Sequence, residues 1–286
     1  MDRLHPFQLC CWLLVTTLGC TVMRGPNEAE RLIQSRQLTM QGVTAAQEGR
    51  GNEAETLFSQ AIETCPVDER PRLHHANLLW SQGDYERAIR QMEEAVRLSA
   101  GEANLRIKLG EMYLELDRLA QAQGQARRAI SANNSAEAWI LRGNVLRRQN
   151  DLERALAAYQ RALSIEPQNA IAPLAIADIY RELNRPISTL AVLDRWLDAN
   201  PDSRQVAQVM HKKGLALQSL QRHSDASVCL AHAARKLPNN AVLLYDLSRA
   251  QFMSGDLVGA QFTIRHALRI APRMAQALQL EQQLRH

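Results

Sequence analysis

The chain lacks the signatures of chemistry. Its 286 residues contain no nucleotide-binding P-loop, no HExxH, no GxSxG and no CxxC, and no segment reads as a strand that could feed a glycine-rich loop. No enzyme is therefore expected, and nothing in the sequence calls for a cofactor or a small-molecule substrate. Metal-ligand spacing is missing too. His74 and His75 are adjacent, and adjacent residues on a helix point about 100° apart, a poor arrangement for two ligands to one ion. His211, His223, His232 and His266 fall in separate predicted helices without a carboxylate or cysteine at ligand spacing, so no metal site is expected. Of five cysteines, only Cys65 and Cys229 lie beyond residue 20, far apart in the chain, and both read as isolated structural thiols. A single-signed charge is also absent. The formal charge is +4 with acids and bases interleaved throughout, which argues against nucleic-acid binding. Finally, the one long apolar run, Phe7 to Gly19, falls short of the roughly 20 residues of a membrane span.

What the sequence has instead is self-similarity. From Asn150 to Pro167, NDLERALAAYQRALSIEP, a helix starting near Asp151 would put Leu152, Ala155, Leu156, Tyr159, Ala162 and Leu163 on one face and charged residues on the other. Six further segments follow this plan, ending at Pro66, Ala100, Asn134, Pro201, Pro238 and Pro272, in steps of 34, 34, 33, 34, 37 and 34 residues when Pro167 is included. A short helix with one apolar face is unstable alone, and a regular copy supplies its neighbour.

Within each unit the small positions recur. The eighth residue is Gly42, Ala76, Gly110, Gly143, Ala177, Gly214 or Ser248, and the twentieth is Ala54, Ala88, Ala122, Ala155, Thr189, Ala226 or Ala260. Two helices of one unit must touch there, and bulk would push them apart. With Trp139, Gly143, Leu146, Ala155, Tyr159, Ala162 and Pro167 in the fourth unit, this pattern resembles the tetratricopeptide repeat family. The resemblance implies an all-α fold, an α-solenoid superhelix of seven helix-turn-helix repeats over residues 35–274, with a C-terminal capping helix at 275–286. Met274, Ala277, Leu278 and Leu284 are expected to cover the last apolar edge. Repeat 5 departs most: Thr189 and Trp196 stand where other units have Ala, and Arg204 to Val206 are extra, predicting a bend or a loosened loop.

Residues 1–19 read as a signal peptide. Leu18-Gly19-Cys20 resembles the lipobox of bacterial lipoproteins, which implies lipid attached to Cys20, export, and a membrane-anchored protein at the periplasmic or cell-surface face. An uncleaved N-terminal anchor is the alternative. Residues 20–34 then hold the anchor, a short tether with Gly25-Pro26, and the lead-in of a helix expected over 28–47.

The same resemblance turns five first-helix positions of each unit toward an inner groove that takes a peptide or a partner helix. Here that set includes Asn77, Trp80, Asn144, Arg147, Arg148, Asp178, Arg181, Tyr245, Arg249 and Phe252. The family's chaperone-binding members carry a Lys at the fifth position, which no unit here has, so that activity is not implied. Exposed aromatics flanking a positive middle of Arg147, Arg148 and Arg181, offset by Asp178 and Glu182, would suit an acidic or carboxylate-bearing segment. The expected function is a protein-interaction scaffold or adaptor at a membrane. The alternative is a structural subunit of an envelope assembly, like the pilotin-type repeat lipoproteins of pilus and secretion machines.

Overall fold

A computed structural model of the protein describes residues 27–285. The leader, Cys20 and nearly all of the tether lie outside the described residues. Those described are all-α, with fifteen helices: α1 Glu28–Gln47, α2 Gly51–Thr64, α3 Glu69–Ser81, α4 Tyr85–Leu98, α5 Ala103–Glu115, α6 Leu119–Ala132, α7 Ala136–Arg148, α8 Leu152–Ile165, α9 Ile171–Glu182, α10 Pro186–Ala199, α11 Val206–Ser219, α12 His223–Lys236, α13 Ala241–Ser254, α14 Leu257–Ile270 and α15 Ala275–Gln283. They form seven successive helix-turn-helix repeats, the pattern of an α-solenoid, with α15 left over at the end. The chain divides into two compact units, one ending at His74 and one beginning at His75.

Each hairpin turns on a residue in the left-handed region, and the seven fall at one position of the repeat: Gly49, Gly83, Asp117, Asn150, Asn184, Gln221 and Gly255, with φ between 52° and 88°. Gly, Asn and Asp tolerate that conformation best; Gln221 is the exception. The following helix is then capped where the sequence allows it. Asp84, Asp151 and Asp256 accept from the backbone N–H groups of Arg87, Arg154 and Gly259 at 3.3, 3.2 and 2.9 Å.

In the first unit Asn27 opens α1 with a reciprocal capping box to Glu30. The hydroxyl of Ser35 donates to the Ala61 carbonyl at 2.9 Å, and the Phe58 ring stacks on His74. Gly42 allows this closeness: a Cβ there would lie 2.6 Å from the Phe58 ring.

In the second unit the apolar stripes of neighbouring hairpins share clusters. Tyr159, fully buried, packs with Ala155, Ala158, Ala162, Ile176 and Ile179; Leu230 and Leu243 centre a later cluster. A Cβ on Gly143 or Gly214 would come within 2.6 Å of Tyr159 or Leu230 in the same hairpin, as the spacing predicts. At Gly110 the near atom instead belongs to Leu141 of the next repeat. The last cluster corrects one expectation. Ala277, Leu280 and Leu284 of the C-terminal segment are buried against Ala260, Ile264 and Ala267, with Met274 packed at the edge. Leu278 is 40% exposed, because α15 begins at Ala275 and its register turns Leu280 inward in its place.

Repeat 5 carries the packing adjustment. Trp196 is buried and donates its indole N–H to the Asn169 carbonyl at 3.1 Å. A cleft of about 660 Å³ opens among α8, α9 and α10, lined by Leu163, Ile176, Tyr180, Val192 and Trp196. Arg204 and Gln205 fall in the loop before α11, and Val206 opens that helix.

Candidate functional site

The candidate residues of the interaction surface all lie in the second unit, on its first helices. The structure shows what each side chain meets. In α3 Asn77 is exposed and Trp80 is half-buried, its ring edge-on to Tyr85 at 4.8 Å. In α13 Tyr245 and Phe252 are half-buried against the last core cluster rather than freely exposed, and Arg249 lies over the Tyr245 ring at 5.9 Å. Thus the aromatics flank the surface with one edge each. Their other edges belong to the packing of the repeats.

The middle of the surface differs from an open positive patch. Arg147 of α7 pairs with Glu182 and reaches Asp178 of α9 at 3.9 Å. Asp178 also receives Arg181 at 3.6 Å and Lys212 of α11. Arg148 reaches back to Asp117 at 3.6 Å. Each arginine of the expected positive middle is therefore matched by a carboxylate of its own or the adjoining repeat. Asp178 is the hub, three cations around a side chain only 20% exposed, a setting in which ion pairs are less screened than at an open surface. Asn144 is likewise committed, its Oδ1 accepting the Tyr159 hydroxyl at 2.7 Å. Burial pushes that hydroxyl up to about 12, with Asp178 and Glu182 adding and Arg147 opposing.

A second cluster joins α11 to α13, and the sequence did not suggest it. His211 Nε2 lies 2.7 Å from Asp246 Oδ2, and Asp246 is buried. Gln218 donates to the Asp246 carbonyl at 2.8 Å and accepts from Arg249. His211 was expected to have no carboxylate at ligand spacing. Its partner stands 35 residues on, as Glu182 stands 35 from Arg147 and Lys212 stands 34 from Asp178. In a chain that returns every 34 residues, a separation of one period is a spatial neighbour, just as four residues are within a helix. That is the signal that could have found these pairs.

Among the described residues no group of three or more His, Cys, Asp and Glu is placed to hold a metal ion. Cys65 and Cys229 are free thiols, and burial raises that of Cys229. No described helix is long and apolar enough to cross a membrane. What remains is a half-exposed polar face, ordered by ion pairs between repeats and bordered by aromatic edges.

Two models of the tetratricopeptide repeat match the chain, over residues 79–145 and 136–169. A curated relative, BBSome complex member BBS4 of Bos taurus, is 25% identical over 184 residues, covering 64% of this chain; the chain spans about a third of that relative's length, 34%. Among solved structures, yeast Tom70 superposes with a TM-score of 0.65 at 16% identity, over 91% of this chain and 54% of that one. The Pseudomonas aeruginosa protein pilF does so with 0.59 at 13% identity, over 77% and 98%. At these identities the structural likeness speaks for the fold. Repeats of this kind serve generally as protein-interaction scaffolds, and with the 34-residue step and the stacked hairpins the matches make the chain a member of the tetratricopeptide-repeat family.

Proposed function

We propose that the protein is an adaptor that holds a partner's extended segment or helix along the first helices of its second unit. One observation carries the reading: the ion-pair ladder Arg147–Glu182, Arg147–Asp178–Lys212 and His211–Asp246 arranges partly desolvated charge in register over four consecutive repeats. Fixed, half-buried charge at one-repeat intervals can read a segment lying across the repeats. Arg147, Arg148, Arg181, Lys212 and Arg249 outnumber Asp117, Asp178, Glu182 and Asp246 by one, so an acidic or carboxylate-bearing segment remains the preferred partner; it would compete with Asp178 for its cations. Lipid on Cys20, or an uncleaved leader, would place this surface at a membrane.

The test is recovery of partners by the tagged protein from detergent extract, comparing the parent with Arg181→Glu. Arg181 is 61% exposed, so its reversal is expected to keep the melt. Loss of the main partner with an intact fold is the expected result, and retention of every partner would remove the surface from the proposal. Cys20→Ser should shift the protein from the detergent to the aqueous phase. Partitioning that survives this change would remove the lipid.

A second reading, a structural subunit of a larger assembly, is favoured by the relative named as a complex member. It predicts stoichiometric, permanently bound partners, and slow exchange in a wash-out experiment would select it over the adaptor.

A further inference from the structure

The net charge of the chain is gathered at one end. Residues 226–285 hold seven bases against three acids, while the rest of the chain carries 27 of each. The three acids are occupied. Asp246 is buried against His211, Asp256 caps α14 at the Gly259 N–H, and Glu281 pairs with Arg285. Arg249 is held by Gln218. That leaves Arg235, Lys236, Arg265, Arg269 and Arg273, all exposed and none in an ion pair among the described residues.

Two of these bases share a stripe with apolar side chains. At about 100° per residue, Val258, Phe262, Arg265 and Arg269 of α14 fall within an arc of roughly 60°. The buried residues Ala260, Thr263, Ile264 and Ala267 occupy the opposite face. Val258 is 81% exposed and Phe262 is 72% exposed. One repeat earlier, α12 sets Val228, 69% exposed, and Arg235 at the positions of Phe262 and Arg269.

We propose that this outward stripe of α14, continued by α12, docks on an anionic lipid surface. Arg235, Arg265 and Arg269, three of the five uncompensated bases, lie on this stripe and complement anionic headgroups. Val258 and Phe262 project beside them, as on interfacial helices that bury an apolar edge at the acyl boundary. An aliphatic Val258 gains nothing from nucleic acid, and the stripe is a ridge, not a pocket that could seat side chains of an acidic protein. This surface is separate from the first-helix face and does not depend on what that face binds. It would add a second membrane contact far along the chain from the leader.

The test is sedimentation of the full chain with phosphatidylcholine vesicles, with and without phosphatidylglycerol. The leader would bind either bilayer, so the reading is the difference between the two. The parent should favour the anionic vesicles by about tenfold or more, since each base near such a surface contributes roughly fivefold, with steep loss in salt. Arg265→Glu with Arg269→Glu should erase that preference without changing the melt. Phe262→Ser, also at an exposed position, should weaken anionic binding while retaining its salt dependence. Equal binding of the parent to both vesicles, or a preference that survives the double reversal, would overturn the proposal. So would unchanged affinity in Phe262→Ser, or a preference of the same stripe for a single-stranded oligonucleotide over vesicles.

Discussion

Tyr159 donates its hydroxyl to Asn144 Oδ1 at 2.7 Å across the turn between α7 and α8, and its ring fills the space that Gly143 leaves open. One side chain thus joins the core of the fourth repeat to the surface proposed to bind a partner. Adding a methyl at Gly143 tests how rigid that join is. Its Cβ would sit 2.6 Å from the ring of a side chain with no exposed surface. Ala gains about 1 kcal/mol of helix propensity over Gly, whereas overpacking costs typically about 1–3 kcal/mol. Gly143→Ala should therefore be destabilising in urea melts; a more stable variant would show that the ring can give way.

The same tyrosine sets an alkaline limit. Burial lifts its folded pKa to about 12 from the ordinary 10.0. Between these values the unfolded chain ionises while the folded hairpin holds its proton, so stability is lost as pH rises through that window, on the order of 2 kcal/mol from this group. Tyr113 adds to it: burial and its bond to Glu93 raise it as well. Tyr159→Phe should lose the bond to Asn144 at pH 7 but show a smaller alkaline decline. Parallel declines in the two proteins would assign the loss to other groups.

Much of this molecule could be read from residue spacing because a repeat prints its constraint many times. The seven positive-φ residues of the hairpin turns recur in the same steps of 34, 34, 33, 34, 37 and 34 residues as the segment ends, so the step in the sequence is the step of the hairpin turn. Gly42, Gly143 and Gly214 were legible for the same reason, each facing a large side chain sixteen residues on. The surface was legible only by helix and position. Arg147 and Arg181 stand where the pattern puts them, but their neutralisation by Glu182 and Asp178 depends on side-chain reach between adjoining repeats. Leu278 and Leu280 show the limit at a chain end, where both residues fit a helical period and the start of α15 decides which one turns inward.

That difference makes the cap testable. Leu280 is 5% exposed and Leu278 is 40% exposed. Leu280→Ala should cost about 2–5 kcal/mol, as for other buried leucines, and Leu278→Ala well under 1 kcal/mol. Truncation after Ala271 should uncover Ala260, Ile264 and Ala267, with aggregation or a less cooperative melt. Equal effects at the two leucines would mean that α15 does not dock in this register.

Trp196 offers the sharpest test of pattern against packing. Six of seven repeats have Ala at its position, and replacing a rare residue by the common one often stabilises a protein. The structure argues the reverse. The Trp196 ring is 2% exposed, packs with Leu193, Val206 and Val209, and bonds the Asn169 carbonyl. The cleft of about 660 Å³ beside it already lacks filling atoms on one side. Trp196→Ala would enlarge that space and strand the carbonyl, a loss of about 3–5 kcal/mol for the ring against a few tenths gained in helix propensity. Trp196→Phe should recover most of the packing without the hydrogen bond, leaving a deficit of about 1 kcal/mol. Should Trp196→Ala prove as stable as the parent, α10 must be able to close onto α9 as the second helix of the other repeats closes onto its own first helix, and the tryptophan would then be holding the cleft open rather than holding the repeat together.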